Sequence, residues 1–198
     1  MCAPLRRLAL DGAGSLNSRM IRLFTAIAIP PEIGQGLLSR QHGIEGARWR
    51  PREAFHITLR FIGDVQEPMA AELDEALAEI AAPAFDLELT RAGHFGEGAD
   101  IHAVWAGVED SAPLRRLQKA NESAARAVGL KPETRLYTPH VTLAYLKKPT
   151  VSEVGAWIQA HNLLHSPVFP VDRFGLYSSW RTSEGSAYRL EREYPLLG

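Results

Sequence analysis

The sequence is short of cysteine, of long apolar segments and of excess charge of either sign. Its only cysteine is Cys2, which excludes a disulfide framework and argues against a cysteine-based metal site or a catalytic thiol. No apolar run approaches the roughly 18 residues that a membrane-spanning helix needs. The 22 Lys and Arg residues nearly balance 23 Asp and Glu residues. Because proteins that bind long nucleic acids nonspecifically usually carry a large basic excess, any nucleic-acid substrate is expected to be short or held at one end.

The rest of the composition is typical of a soluble globular domain. The chain has 198 residues, of which 45% are hydrophobic and 23% are charged, enough apolar material for a core without disulfides. Residues 1–19 lack the apolar stretch of about seven residues that a secretory leader contains. We expect this segment to be a disordered extension or a remnant of the expression vector. Residues 20–198 are expected to form one domain with two lobes, in a cytoplasmic, monomeric protein without membrane contacts.

Strand-like and helix-like segments alternate along the chain. Alternating or β-branched apolar residues predict strands at 21–29, 55–63, 84–91, 101–108, 138–146, 169–178 and 186–193. Amphipathic segments predict helices at 31–42, 68–82, 113–128 and 151–161. The glycines around 96–98 indicate a hairpin between two of these strands. This order favours an α+β fold with antiparallel sheets over a doubly wound parallel sheet.

One short motif occurs twice, each time inside a predicted strand. Residues 55–64 are FHITLRFIGD and residues 139–148 are PHVTLAYLKK, so both contain His-x-Thr-Leu. The repetition suggests two similar lobes, each contributing one motif strand to a central cleft.

Strand alternation assigns the motif side chains to faces. Residues i and i+2 of a strand share a face, so His56, Thr58 and Arg60 are expected on one face, and His140 and Thr142 on one face of the second strand. The opposite face of the first strand is apolar and is predicted to be core: Phe55, Ile57, Leu59 and Phe61.

Two facing histidines suit acid–base chemistry that needs no metal. Imidazole has an unperturbed pKa near 6.5, so one ring can accept a proton while the other donates one. Two threonine hydroxyls are suited to holding the oxygens of a phosphate between the rings. A metal site is the alternative, but neither histidine has a carboxylate two residues away to complete a ligand set. A purely structural role for the two motifs is the remaining alternative.

The sequence resembles the two-histidine (2H) phosphoesterase superfamily, which is defined by paired H-x-T/S motifs, and within it the RNA 2′,3′-cyclic phosphodiesterase group, also called LigT-like or 2′-5′ RNA ligase. Segments 22–30, 48–64, 135–146 and 174–196 carry the likeness. The resemblance implies a bilobal α+β fold with outer helices and pseudo-twofold symmetry around a central cleft. It also implies cofactor-free hydrolysis of RNA 2′,3′-cyclic phosphate ends, with RNA ends or cyclic nucleotides as substrates.

The resemblance assigns roles to the motif residues. It makes His56 and His140 the catalytic pair, with His140 as base on water and His56 as acid toward the ribose 3′ oxygen, and it makes Thr58 and Thr142 the phosphate-binding pair. By reversibility the same pair would catalyse 2′-5′ ligation. Relatives commonly carry Arg two positions after the Leu of the second motif, where this chain has Tyr145.

Further substrate contacts are expected beside the motifs, where Arg60, Tyr145 and Tyr137 are candidates. Arg135, Lys147 and Lys148 are further candidates to replace the missing arginine. Trp49 and Trp180 could stack on a base, and Arg48 and Arg50 beside Trp49 could reach a phosphate or be solvated. Two other functions stay open: hydrolysis of a small cyclic phosphate, such as ADP-ribose cyclic phosphate or an oligoadenylate, and binding of nucleotides or RNA ends without catalysis.

Overall fold

The computed structural model describes residues 20–183 and 185–198, and the predicted extension over 1–19 lies outside the described residues. The strands are β1 (Met20–Ala28), β2 (Arg48–Trp49), β3 (His56–Gln66), β4 (Phe85–Leu87), β5 (Leu89–Phe95), β6 (Ala103–Val108), β7 (His140–Tyr145), β8 (Phe169–Val171), β9 (Arg173–Thr182) and β10 (Gly185–Pro195). The helices are α1 (Pro31–Leu38), α2 (Glu67–Ala78), α3 (Ala112–Ala127) and α4 (Val151–His161). The order of elements confirms the predicted mixture of strands and helices.

The strands form a large sheet in the order β10-β9-β1-β3-β7-β6-β5, with β2 also paired to β7. Every pairing between these strands is antiparallel, which confirms the predicted α+β class with antiparallel sheets. The hairpin predicted around 96–98 joins β5 to β6. Its turn depends on Gly96, whose φ is +89° and where a Cβ would lie 2.1 Å from the carbonyl oxygen of Asp100.

The two halves of the large sheet meet at β3 and β7. A single residue pair, Ile57 with Val141, joins these strands, whereas β1 pairs with β3 along nearly its whole length. The short strand β2 pairs with the same edge of β7 as β3 does, but at the other end of β7, where Arg48 pairs with Tyr145. The sheet therefore divides into two lobes at the two motif strands, which the repeated sequence motif predicted.

Two predicted strands each divide into two. Residues 84–91 form β4 and β5, and residues 169–178 form β8 and β9. The first member of each pair joins a separate two-stranded sheet, β4 with β8, and the second member joins the large sheet. The apolar pattern continues through the break between β4 and β5, because Leu87 and Leu89 on either side of it are both buried in the common core. Periodicity alone therefore did not reveal the change of sheet.

Helices α3 and α4 begin at side-chain caps. The hydroxyl of Ser111 accepts a hydrogen bond from the N–H of Leu114 and caps α3. Thr150 and Glu153 form a capping box at the start of α4, which spans the predicted residues 151–161. Helix α3 packs against β3 and α2. No helix within the described part of the chain has the length and apolarity to cross a bilayer.

Candidate active site

The pairing of β3 with β7 brings the four motif side chains together. Ile57 and Val141 are direct partners in an antiparallel pair. Continuing this register by one residue in each direction places His56 opposite Thr142 and Thr58 opposite His140. Each imidazole is therefore across from the hydroxyl of the other motif, and all four side chains share the face opposite to the buried Ile57 and Val141.

The two motif strands have the same local structure. Their first six residues show the same pattern of buried, half-buried and exposed side chains. At the fourth of these residues each strand also has a one-residue bulge, Leu59 on β3 and Leu143 on β7, and β3 has a second bulge at Ile62. A bulge shifts the alternation of side chains by one residue. The prediction that Phe61 is core is therefore wrong: Phe61 is 45% exposed, and Tyr145 is its exposed counterpart on β7.

Backbone hydrogen bonds fix the tautomer of both histidines. The Nδ1 atom of His56 lies 2.8 Å from the carbonyl oxygen of Ala54, and that of His140 lies 2.7 Å from the carbonyl oxygen of Thr138. Because a carbonyl only accepts, each Nδ1 carries the hydrogen, and each neutral ring keeps a lone pair on Nε2. Two equivalent Nε2 atoms are thus available to exchange protons with a substrate.

The hydroxyls of Thr58 and Thr142 are available for a ligand. Both residues are half-buried, and neither side chain has a hydrogen-bond partner among residues 20–183 and 185–198. A half-buried hydroxyl without a protein partner is suited to donating to an oxyanion that displaces water. The two threonines therefore supply neutral donors on either side of the histidines.

Aromatic rings and one cation surround His56. The rings of Phe24 and Tyr188 lie 4.9 Å and 5.2 Å from the imidazole, centroid to centroid. Burial, with smaller contributions from the positive charges of Arg50 and of His140 when protonated, lowers the pKa of His56 to about 4. The free site therefore keeps His56 neutral at physiological pH.

Aromatic rings also lie beside His140. Phe95 lies edge-on to the imidazole at 4.6 Å, and Trp105 lies at 6.2 Å. The indole of Trp105 lies directly over Gly93, where a Cβ would come within 2.2 Å of the ring. Gly93 therefore allows Trp105 to lie flat beside the site. Burial lowers the pKa of His140 below its usual value, and Arg50 has no part in that shift.

Arg60 is not directed toward the histidines. The bulge at Leu59 turns it to the face that α3 covers, where it is only 8% exposed. Its Nε lies 2.5 Å from a carboxylate oxygen of Glu122, and its Nη2 donates to the carbonyl oxygen of Lys131 at 2.6 Å. The expectation that Arg60 shares the face of His56 is therefore wrong, because strict alternation does not hold across a bulge.

The other predicted contacts lie in different places. Tyr137 is half-buried and donates its hydroxyl to the carbonyl oxygen of Thr58 at 3.1 Å, which ties the chain before the second motif to the first motif strand. Tyr145 is exposed beside the guanidinium of Arg50. Trp49 packs near Trp157 against the core, and Trp180 is 49% exposed on β9.

Sequence patterns did not identify the aromatic residues around the site. Phe24, Phe95, Trp105 and Tyr188 come from four different strands, and each has an ordinary apolar or strand-like sequence context. Only the fold brings them to the histidines. Arg50 was considered as a phosphate contact or a solvated charge, and the structure shows it to be buried. No group of three or more potential metal ligands (His, Cys, Asp or Glu) occurs within the described residues.

The sequence matches curated proteins named RNA 2′,3′-cyclic phosphodiesterase. An RNA 2′,3′-cyclic phosphodiesterase of Geobacillus stearothermophilus is 33% identical over 155 residues, covering 76% of this chain and 48% of the relative. One of Aeropyrum pernix is 46% identical over 96 residues, covering 48% of this chain and 54% of the relative. The chain thus matches about half the length of these two relatives.

Solved structures have the same fold. E. coli LigT complexed with 3′-AMP superposes with a TM-score of 0.75 at 24% identity, covering 91% of this chain and all of LigT. The protein TT0787 of Thermus thermophilus superposes with a TM-score of 0.71 at 25% identity, covering 89% of this chain and 98% of that protein. The family model of the 2′-5′ RNA ligase superfamily matches residues 37–182, which make up most of the chain and include both motifs. The chain belongs to the 2′-5′ RNA ligase superfamily.

Proposed function

We propose that this protein hydrolyses RNA ends that carry a 2′,3′-cyclic phosphate, leaving a 2′-phosphate. The observation that carries the proposal is the juxtaposition of two Nδ1-protonated imidazoles with two partnerless hydroxyls on one face of the sheet. The names of the relatives agree with it. The nearly neutral chain also suits a substrate held at one end.

Hydrolysis requires that one proton be removed from the attacking water and that one proton be donated to the leaving oxygen. Water attacks phosphorus as a neutral Nε2 takes its proton, the bond from phosphorus to the ribose 3′ oxygen breaks, and the second imidazole protonates that oxygen. Each transfer typically contributes about 10²- to 10⁴-fold in rate. Thr58 and Thr142 donate to the nonbridging oxygens, whose charge grows in the transition state. An RNA 5′-hydroxyl in place of water would give a 2′-5′ linkage by the same transfers.

The roles of acid and base follow from which of the two histidines is protonated in the free site. Burial disfavours the charged form of both imidazoles, but only His56 also faces the positive charge of Arg50. A single proton therefore resides on His140. In this arrangement His56 is the general base and His140 the general acid for hydrolysis, the reverse of the assignment expected from the sequence.

The test is an assay of product identity. An RNA oligonucleotide ending in a 2′,3′-cyclic phosphate is incubated with the protein in excess chelator, and the product is examined by phosphorus NMR. We expect turnover to a 2′-phosphate. A 3′-phosphate product would mean that the other ester bond breaks. Tight binding without turnover would favour a binding protein, and faster turnover of ADP-ribose cyclic phosphate or of an oligoadenylate would identify a different substrate.

The pH dependence should differ between the free protein and the substrate complex. Since kcat/KM reports the free protein, it should rise through the pKa of His56 near 4 and fall above the lowered pKa of His140, which gives an optimum on the acidic side of about 6.5. A bound phosphate anion stabilises both imidazolium forms, so the kcat profile should lie at higher pH. Measuring both constants from pH 4 to 9 checks this, and superimposable profiles would contradict it.

A further inference from the structure

Arg50 lies at the junction of the two lobes. It directly follows β2, and its N–H donates to the carbonyl oxygen of Leu143 at 2.8 Å, which extends the pairing of β2 with β7. Strand β3 pairs with β7 only at Val141, and beyond that point β2 and Arg50 pair with the same edge of β7. Arg50 is therefore held by backbone hydrogen bonding close to the point where the two motif strands meet.

Among the residues that the structure describes, the guanidinium of Arg50 is a buried cation with no anion beside it. The residue is 8% exposed, and no carboxylate among residues 20–183 and 185–198 lies within ion-pair distance of it. Its Nη2 donates to the carbonyl oxygen of Ser186 at 3.2 Å. The guanidinium carbon lies 5.7 Å from the ring centre of Tyr145 and 5.3 Å from that of Tyr188. Two ring faces offset only part of the cost of burying a charge, so the site is electrostatically incomplete without an anion.

The same tyrosine connects this cation to the catalytic pair. Tyr188 contacts the guanidinium of Arg50 on one side, and its ring stands perpendicular to the imidazole of His56 at 5.2 Å. An anion that contacts Arg50 would therefore lie within reach of the histidines. Arg60, which is also buried, has an ion-pair partner in Glu122, and Arg50 differs from it in this respect.

Tyr145 lies beside this cation. The bulge at Leu143 turns residue 145 to the exposed face beside Thr142. The guanidinium of Arg50 lies over the ring of Tyr145, 5.7 Å from its centre. A longer, charged side chain at position 145 would therefore lie close to the place that the guanidinium of Arg50 occupies.

We propose that Arg50 binds a nonbridging oxygen of the substrate phosphate. This inference rests on the proposed function, because it assigns a residue to the phosphate of that reaction. A guanidinium offers several donors in one plane, which suits the oxygens of a phosphate. Its charge would stabilise the phosphate most in the transition state, where negative charge accumulates.

The test compares Arg50→Met with Arg116→Met, which removes an exposed arginine on α3. We expect Arg50→Met to lower kcat/KM for the cyclic phosphate by about 10²-fold, the scale of removing one oxyanion donor. We also expect it to weaken binding of inorganic phosphate at least tenfold by calorimetry. Arg116→Met should change both values by less than threefold. The double variant Arg50→Met/Tyr145→Arg should recover at least tenfold of each loss.

The outcomes separate this inference from the proposed function. Unchanged phosphate affinity in a folded Arg50→Met variant, or equal losses in the two single variants, would overturn the role of Arg50. If Arg50→Met does not fold, Arg50→Lys keeps the charge without the planar fork, and an affinity equal to that of the unchanged protein would also overturn the proposed contact. If phosphate binding depends on Arg50 but cyclic phosphate ends are not hydrolysed, the anion site is supported and the proposed hydrolase activity is rejected.

Discussion

Replacing either His56 or His140 by alanine should lower kcat on a 2′,3′-cyclic phosphate end by about 10³-fold, within the range that a positioned acid or base supplies. Each ring presents one free Nε2 because its Nδ1 is committed to a backbone carbonyl. Alanine removes that proton carrier and leaves the rest of the site in place. Single-turnover measurements with saturating RNA substrate test this without interference from product release.

A surface histidine provides the matched control. His165 is largely exposed and lies 2.7 Å from a carboxylate oxygen of Glu88, outside the two motifs. His165→Ala should retain kcat within a factor of two. If the two rings act as one unit, as the proposed mechanism requires, the double variant His56→Ala/His140→Ala should lose little more than the worse single variant. Multiplicative losses, or near-full activity in either single variant, would contradict the two-histidine mechanism.

The same variants decide which ring is the acid. A cyclic substrate with sulfur in place of the 3′ bridging oxygen releases a thiolate, which needs no proton to depart. If His140 is the acid, His140→Ala should regain most of its lost rate on this substrate, and His56→Ala should not. The opposite pattern would restore the assignment first expected from the sequence, and rescue of neither variant would argue against general-acid catalysis.

Sequence analysis was sufficient for those features of the motif strands that depend only on a local pattern. His-x-Thr within an alternating segment is sufficient to place His56 and Thr58 on one face, and the repeat is sufficient to predict a matching strand. The alternation failed after Leu59 and Leu143, because a bulge depends on pairing with a neighbouring strand and leaves no mark in the periodicity of its own strand. Phe61 was therefore misassigned, for the same reason as Arg60.

Long-range neighbours were beyond the reach of sequence patterns for a different reason. Arg50 has an ordinary context in the sequence, and its importance comes from Tyr188, which follows it by well over a hundred residues. Likewise burial, and to a smaller extent the charge of Arg50, lowers the pKa of His56 to about 4. Electrostatic effects of this kind depend on distances across the fold, which a single sequence does not encode in readable form.

Arg60 gives the second large expected effect, and it is an effect on stability. Arg60→Met leaves the carboxylate of Glu122, itself largely buried, without its cation. Breaking a buried ion pair in this way typically costs about 3 kcal/mol or more. For a chain of this size we expect the melting temperature to fall by about 6 to 12 °C. Scanning calorimetry measures the shift, with Arg22→Met in the exposed pair with Asp64 as a control that should melt nearly unchanged.

Neutralising the stranded charge should recover much of this stability. In Arg60→Met/Glu122→Gln the amide oxygen still accepts the hydrogen bond that Glu122 receives from the N–H of Glu133, and no unpaired charge remains. Activity separates this role from substrate binding. Below its melting temperature Arg60→Met should keep kcat/KM within tenfold, since the guanidinium holds Glu122 and the Lys131 carbonyl rather than the phosphate. A loss of 10²-fold or more in a fully folded variant, with unchanged melting, would instead place Arg60 on the substrate.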